Sequence, residues 1–216
     1  PNVVIAILDT GIEFDHPDLQ GKIWTNPGET GTDAQGRDKR SNGVDDDGNG
    51  FVDDWRGWDF WESGTTTVTR DNNPLDEFSG HGTGTAGLAG ASTNNGIGIA
   101  SAGYNCRVMA VKLGGTRERV RNVGFIEQGI VYATTNGASI INSSFGGPSR
   151  SRAIEDAVNF ATNAGVLVVA AAGNGGTDAP SYPAAYTNVL SVGAVLHSGA
   201  NIGQRASFSN LSLIHI

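Results

Sequence analysis

Val3-Val4-Ile5-Ala6-Ile7-Leu8-Asp9-Thr10-Gly11 decides the fold: a run of apolar residues ends on an acid and a turn-forming glycine. The run lacks the polar alternation of a strand with one wet face, so it reads as a strand covered on both sides. Runs of the same kind recur at residues 107–113, 138–143, 166–171 and 189–195. Between them, residues 119–136 carry Val120, Val123, Ile126, Ile130 and Val131 at helical spacing, with Gly137 as a stop. Residues 149–163 repeat the pattern with Ile154, Ala157, Val158 and Ala161 before Gly165. Alternating strand and helix units predict an α/β fold, a mostly parallel central sheet with helices on both faces.

Residues 26–73 break this rhythm. They are polar, rich in Gly and Asp, and decorated with Trp55, Trp58, Phe60 and Trp61. We read them as a surface insertion anchored by its aromatics, not a separate domain. At 216 residues the chain can bury one sizeable core. Its 32 glycines and modest charge describe a compact, turn-rich molecule rather than a disordered one. A formal charge of −8 argues against nucleic acid as a partner, which needs a basic surface. Much of the acid lies between Asp45 and Asp54, as in a local cation site. No apolar run approaches the roughly 20 residues that cross a bilayer, so no membrane span is expected. No basic-then-apolar leader precedes the first strand. Cys106 is the single cysteine and reads as a core or near-core thiol rather than a reactive one. It leaves the compartment open.

Three segments carry chemistry. Asp9 closes the first apolar run, and the carboxyl ends of strands in open α/β sheets are where ligands and catalytic groups gather. His81 lies in Gly80-His81-Gly82-Thr83-Gly84-Thr85-Ala86-Gly87, where flanking glycines permit close backbone approach. Asn174 closes a further run in Ala170-Ala171-Ala172-Gly173-Asn174. Acid, imidazole and carboxamide are the orienter, general base and oxyanion donor of acyl transfer. Blander readings stand beside these, since Asp9 and Asn174 are also common turn residues. Asp-Thr-Gly after a strand also fits a carboxylate-dyad protease, but that chemistry needs a second such segment, and none occurs. Gly82-x-Gly84-x-x-Gly87 satisfies a dinucleotide fingerprint, yet Leu75-Asp76-Glu77-Phe78-Ser79 before it is no strand.

Taken together, these segments resemble the subtilisin-like serine proteases, the subtilases. Asp9-Thr10-Gly11 with His16-Pro17-Asp18-Leu19, Gly80-His81-Gly82-Thr83 and the segment Asn142-Ser143-Ser144-Phe145-Gly146-Gly147-Pro148 align with that family's motifs. So do Ala171-Ala172-Gly173-Asn174, Tyr182-Pro183-Ala184 and Ser207-Phe208-Ser209-Asn210. The likeness covers about residues 2–210 and implies a serine-type endopeptidase acting on extended polypeptides. By it, Asp9 orients His81, His81 is the general base, and Asn174 is the oxyanion donor. The resemblance also implies that Ser144, Phe145 and Gly146 and, opposite them, Ala171, Ala172 and Gly173 would flank the primary specificity pocket, with Ser181 near its base. The resemblance further implies a cis Tyr182–Pro183 bond, an extracellular location and a possible prodomain partner. The family's His-Val pair is replaced here by Gly84-Thr85, which removes an imidazole that is not the base. The family's Gly-Thr-Ser nucleophile segment is absent from residues 1–216. We therefore expect residues 1–210 to be a partial, subtilisin-like catalytic domain, incomplete at the C-terminus and itself inactive. Residues 211–216 are expected to be a tail foreign to the fold. The alternative is a non-catalytic subtilase-like domain, a calcium-stabilised binding or scaffold module.

Asp45-Asp46-Asp47-Gly48-Asn49-Gly50-Phe51-Val52-Asp53-Asp54 matches the start of a calcium loop. Side chains of Asp45, Asp47 and Asn49 and the carbonyl of Phe51 would supply hard oxygens, with Asp53 or Asp54 closing the shell. A solvated acidic turn is the plainer reading. A second Ca2+ site follows from the resemblance alone, with Asp18, Asn95 and the carbonyls of Thr93, Ile97 and Ile99 as ligands.

Overall fold

The structure, a computed structural model, describes residues 3–61, 70–115, 123–196, 198–199 and 201–211. Its centre is a six-stranded sheet. The strands are β1 (Val3–Asp9), β2 (Gly57–Asp59), β3 (Cys106–Lys112), β4 (Ile140–Ser143), β5 (Leu167–Ala171) and β6 (Val189–Val192). Their order is β2-β3-β1-β4-β5-β6, and every neighbouring pair is parallel. β1 is central, and the chain leaves it for β3 on one side and β4 on the other. That reversal opens a crevice at the carboxyl ends of β1 and β4, where an α/β sheet places its ligands.

The register sorts side chains onto two faces. Val4, Ala6, Leu8, Met109, Val111, Ile141, Val168 and Val189 pack with Ile130, Tyr132, Ala133, Ala157, Val158 and Ala161. The last six come from α2 (Ile126–Thr135) and α3 (Arg152–Asn163). The opposite face holds Ile5, Ile7, Val108 and Ala110 with Ile12, Leu19 and Ala86, the last from α1 (His81–Gly90). Helices thus lie on both faces, but α1 covers only the β1–β3 side of its own. Leu167, Leu190 and Val192, on that same face of β5 and β6, are 45%, 41% and 48% exposed.

Several boundaries differ from the sequence reading, each for a local reason. β1 runs one residue further, so Asp9 is the last residue of the strand. Val123, placed by spacing inside a helix over residues 119–136, instead bridges Gly114, and α2 begins only at Ile126, after Phe125 with φ 55°. Val120 lies outside the described residues. α3 starts at Arg152 because Ser151 caps it, its hydroxyl accepting from the Ile154 N–H. β6 stops at Val192, and Val195 pairs instead with Arg205 in an antiparallel bridge. The polar stretch before His81 contributes an unexpected element, β2, which pairs with β3. Its attachment is aromatic: Phe51 meets Trp58, Phe60 and Tyr132 edge-on, with ring centroids 5.0, 5.8 and 4.8 Å apart.

Candidate active site

Asp9 and His81 are 72 positions apart, yet Asp9 Oδ1 lies 2.7 Å from His81 Nδ1. Two backbone segments must nearly touch for this, and glycines allow it. A Cβ on Gly82 would overlap the carbonyl oxygen of Gly11, and one on Gly11 would lie 2.7 Å from the Leu75 backbone. Gly11 also has φ +102°, a conformation that side chains resist. The Gly82 N–H donates to Thr10 Oγ1 at 2.9 Å, which ties the strand end to the first turn of α1.

The other end of that turn is held by Asp76. Its carboxylate accepts from the N–H groups of Ser79, Gly80 and Thr83 and from the Thr83 hydroxyl, at 3.0–3.2 Å. A buried carboxylate there satisfies the open amides of a helix start and suits its positive end. The sequence reading gave Asp76 no role; an acid shortly before a glycine-led helix was its only signal. Thr85, where the family carries an apolar residue, donates to the His81 carbonyl at 3.0 Å and stands 3.5 Å from Asp9 Oδ2.

The pair is electrostatically unequal. The Asp9 side chain is 4% exposed and that of His81 is 55% exposed. Burial pushes the Asp9 carboxyl up, while the His81 hydrogen bond and the Thr10 N–H, 2.8 Å away, pull it back. A carboxylate accepting at Nδ1 fixes the ring proton there and leaves Nε2 to accept a proton from outside. The ring opens onto a cleft of about 510 Å3 lined also by Thr10, Phe78, Ser79, Val123, Ser144, Phe145 and Gly146.

Ser144, Phe145 and Gly146 leave β4 along that cleft. A Cβ on Gly146 would meet Ser181 Oγ at 2.5 Å, and one on Gly173 would lie 3.4 Å from the same oxygen. The segments after β4 and β5 therefore converge on Ser181, with Ala171 ending β5 and Ala172 buried behind it. Tyr182–Pro183 is cis, and Tyr182 exchanges two backbone hydrogen bonds with Gly147. Asn174 sits on the exposed loop after β5 and is not among the residues lining the Asp9–His81 cleft. Asn210 pins its loop by accepting from Gly175 N at 2.8 Å and donating its own N–H to the Gly173 carbonyl.

These features accord with the comparisons with known proteins. The Subtilase family profile matches residues 1–214. The chain belongs to the subtilase family. It is 36% identical over 206 residues to a thermophilic serine proteinase of Bacillus sp. (strain AK1), covering 95% of this chain and 40% of that protein. It is 34% identical over 199 residues to the major intracellular serine protease of Bacillus subtilis (strain 168), covering 90% and 51%. A solved protease structure from Pseudoalteromonas arctica matches with a TM-score of 0.70 at 26% identity, over 96% of this chain and 59% of that one. This subtilase chain thus spans about half the length of the relatives it matches.

The acidic loop forms a separate cluster. Ligand oxygens of Glu29, Asp45 and Asp47 all lie within 4.8 Å of one another. Asp45 accepts from the N–H groups of Gly48, Asn49 and Gly50. Asn49 Oδ1 accepts from Phe51 N–H, and its amide donates toward Asp54 and Asn136. Asp53 accepts from Gly43 N–H, and Asp54 from the Tyr132 hydroxyl at 2.7 Å. Glu29 was not read from the sequence, because it stands sixteen positions or more from the loop. Burial pushes its carboxyl up to about 6. At the second predicted cation site, the Asp18 carboxylate accepts from Asn95 Nδ2 at 2.7 Å and Ile99 N at 2.9 Å. The Thr93 hydroxyl there is buried without a hydrogen-bond partner among the described residues, whereas Ile97 is half exposed.

Proposed function

We propose that residues 1–216 carry the acid–base and substrate-binding part of a serine-type endopeptidase, with the nucleophilic serine on a segment outside them. The buried Asp9 bound to the half-exposed His81 carries this reading. Asp9 holds the imidazole with its proton on Nδ1, so Nε2 can take a proton from a serine hydroxyl and later return it to the leaving amine. As His81 becomes cationic, the adjacent carboxylate stabilises it. Asn174 donates its amide to the developing oxyanion, on a loop that Asn210 keeps rigid. An extended substrate lies along Ser144–Gly146, whose backbone pairs with it, and its side chain enters between Gly146 and Gly173 toward Ser181. No Gly-Thr-Ser segment occurs in residues 1–216, and the relatives extend well beyond the matched length. The 216-residue chain alone is therefore inactive on this account.

Peptide hydrolysis by the whole protein tests it. His81→Ala should lower kcat by roughly 10²–10⁴-fold or more. Asn174→Ala should cost about 10²–10³-fold in kcat with KM little changed, the loss typical of one oxyanion donor. Unchanged turnover in His81→Ala would remove the proposal.

We propose in addition that the acidic loop binds Ca2+. Its donors are hard oxygens, and one of the three clustered residues, Glu29, carries a buried carboxylate oxygen with no hydrogen-bond partner among the described residues. The ion would neutralise clustered carboxylates and fasten the stretch around residues 26–54 to α2, through Asp54 and Tyr132. It takes no part in peptide cleavage.

A further inference from the structure

We propose that Glu29 is itself a ligand of the loop's cation, closing the shell with Asp45 and Asp47, and that Asp53 and Asp54 brace the loop instead of binding the ion. This rests on the reading that the loop takes a hard divalent cation. Glu29 is fully buried. Its Oε1 accepts from Asp46 N–H at 2.6 Å, but Oε2 has no hydrogen-bond partner among the described residues. A bare carboxylate oxygen removed from water is strongly disfavoured unless an ion or a proton meets it. The oxygens of Glu29, Asp45 and Asp47 lie within 4.8 Å of one another. Oxygens on one Ca2+ at about 2.3–2.6 Å are separated by at most about 5 Å, so this spacing is compatible with one shared ion.

The local cation does not neutralise this trio. The Lys39 ammonium sits 3.8 Å from Asp46 and donates to the Gly28 carbonyl. Access is open, because Asp47 is exposed while Glu29 forms the floor. The approach of Asp47 is built in: any Cβ on Gly28 would overlap the Asp47 side chain. Asn26 joins the layers, donating to Asp47 Oδ2 at 2.9 Å and Asp54 Oδ1 at 2.7 Å. Both Asp54 oxygens are thus taken, Oδ2 by Tyr132 and Asn49. Both Asp53 oxygens accept from the Gly43 N–H, and the residue is set by its own φ of 54°. The rival account is a Glu29 that keeps a proton and shares it with a neighbouring Asp. Glu29→Gln separates the two, because it imitates the protonated acid and removes the ligand charge.

The test is calorimetric titration with Ca2+ of the whole protein, in a His81→Ala background that prevents self-digestion. Asp45→Asn identifies the loop's binding event, distinct from any ion near Asp18. Glu29→Gln should weaken that same event by more than the roughly 10–100-fold lost with an outer-shell partner. Asp53→Asn should shift it less than Glu29→Gln does. Equal affinity in Glu29→Gln, folded by circular dichroism, overturns the assignment of Glu29 while leaving the loop site standing. No Asp45-dependent binding in the background protein overturns the loop reading and this inference with it. If Glu29→Gln does not fold, crystals of the unsubstituted protein soaked in Tb3+ decide. An ion within about 2.3–2.6 Å of Glu29 Oε2 supports the assignment. An ion held without Glu29, or none in the cluster, overturns it.

Discussion

Gly82 shows how little freedom the site leaves a single residue. A methyl at this position would strike the Gly11 carbonyl, which is backbone and cannot rotate away. Gly82→Ala should therefore push α1 off the strand end, costing about 1–3 kcal/mol as overpacking does. Thermal melting of the whole protein checks this, and kcat should fall more steeply than the melting point suggests, since Nδ1 and Oδ1 are held at 2.7 Å. The residues around Asp9 and His81 were legible because glycine flanks advertised backbone contact. Glu29 was not legible. Neither its neighbours Gly28 and Thr30 nor any short-range spacing connects it to Asp45, and only the folded loop brings them together.

At the scale of elements, α1 depends on a residue outside itself. Gly80 supplies no capping side chain, and Asp76 gathers the amides of Ser79, Gly80 and Thr83 instead. Asp76→Ala should cost about 1 kcal/mol in stability, as lost caps do, and should lower kcat by misplacing His81. Asp76→Asn, which keeps acceptor oxygen, should recover part of both. Equal kcat in all three proteins would show that α1 holds its position without Asp76. The second junction is Tyr132 with Asp54, between α2 and the acidic loop. Tyr132→Phe leaves a buried carboxylate short of a donor, which should lower stability by about 1–3 kcal/mol in a denaturant titration. Strand positions were readable because their runs are apolar and short. Helix starts were less so, because Phe125 and Ser151 set them by backbone conformation and capping rather than by periodicity. β2 was hidden because Gly57-Trp58-Asp59 has too few residues to show a period.

For the whole molecule, the informative surface is the uncovered side of β5 and β6. Parallel sheets are buried on both faces, yet Leu167, Leu190 and Val192 stand about half exposed there. On the account proposed here, a further segment of the whole protein covers them. Leu190→Asp should then destabilise the whole protein by roughly 3 kcal/mol or more, as an unpaired buried charge does. A change within about 0.5 kcal/mol would mean the face stays wet. The parallel α/β plan was legible from five apolar runs, but the strand order and the half-covered face follow from crossovers that no local pattern records.

The central claim is that His81, oriented by Asp9, activates a serine lying outside residues 1–216. Labelling the whole protein with a serine-directed phosphonate and mapping the adduct by mass spectrometry addresses it directly. The account predicts one modified serine outside residues 1–216, with labelling lost in His81→Ala and strongly reduced in Asp9→Asn. An adduct on a serine within residues 1–216, or undiminished labelling of His81→Ala, would contradict it.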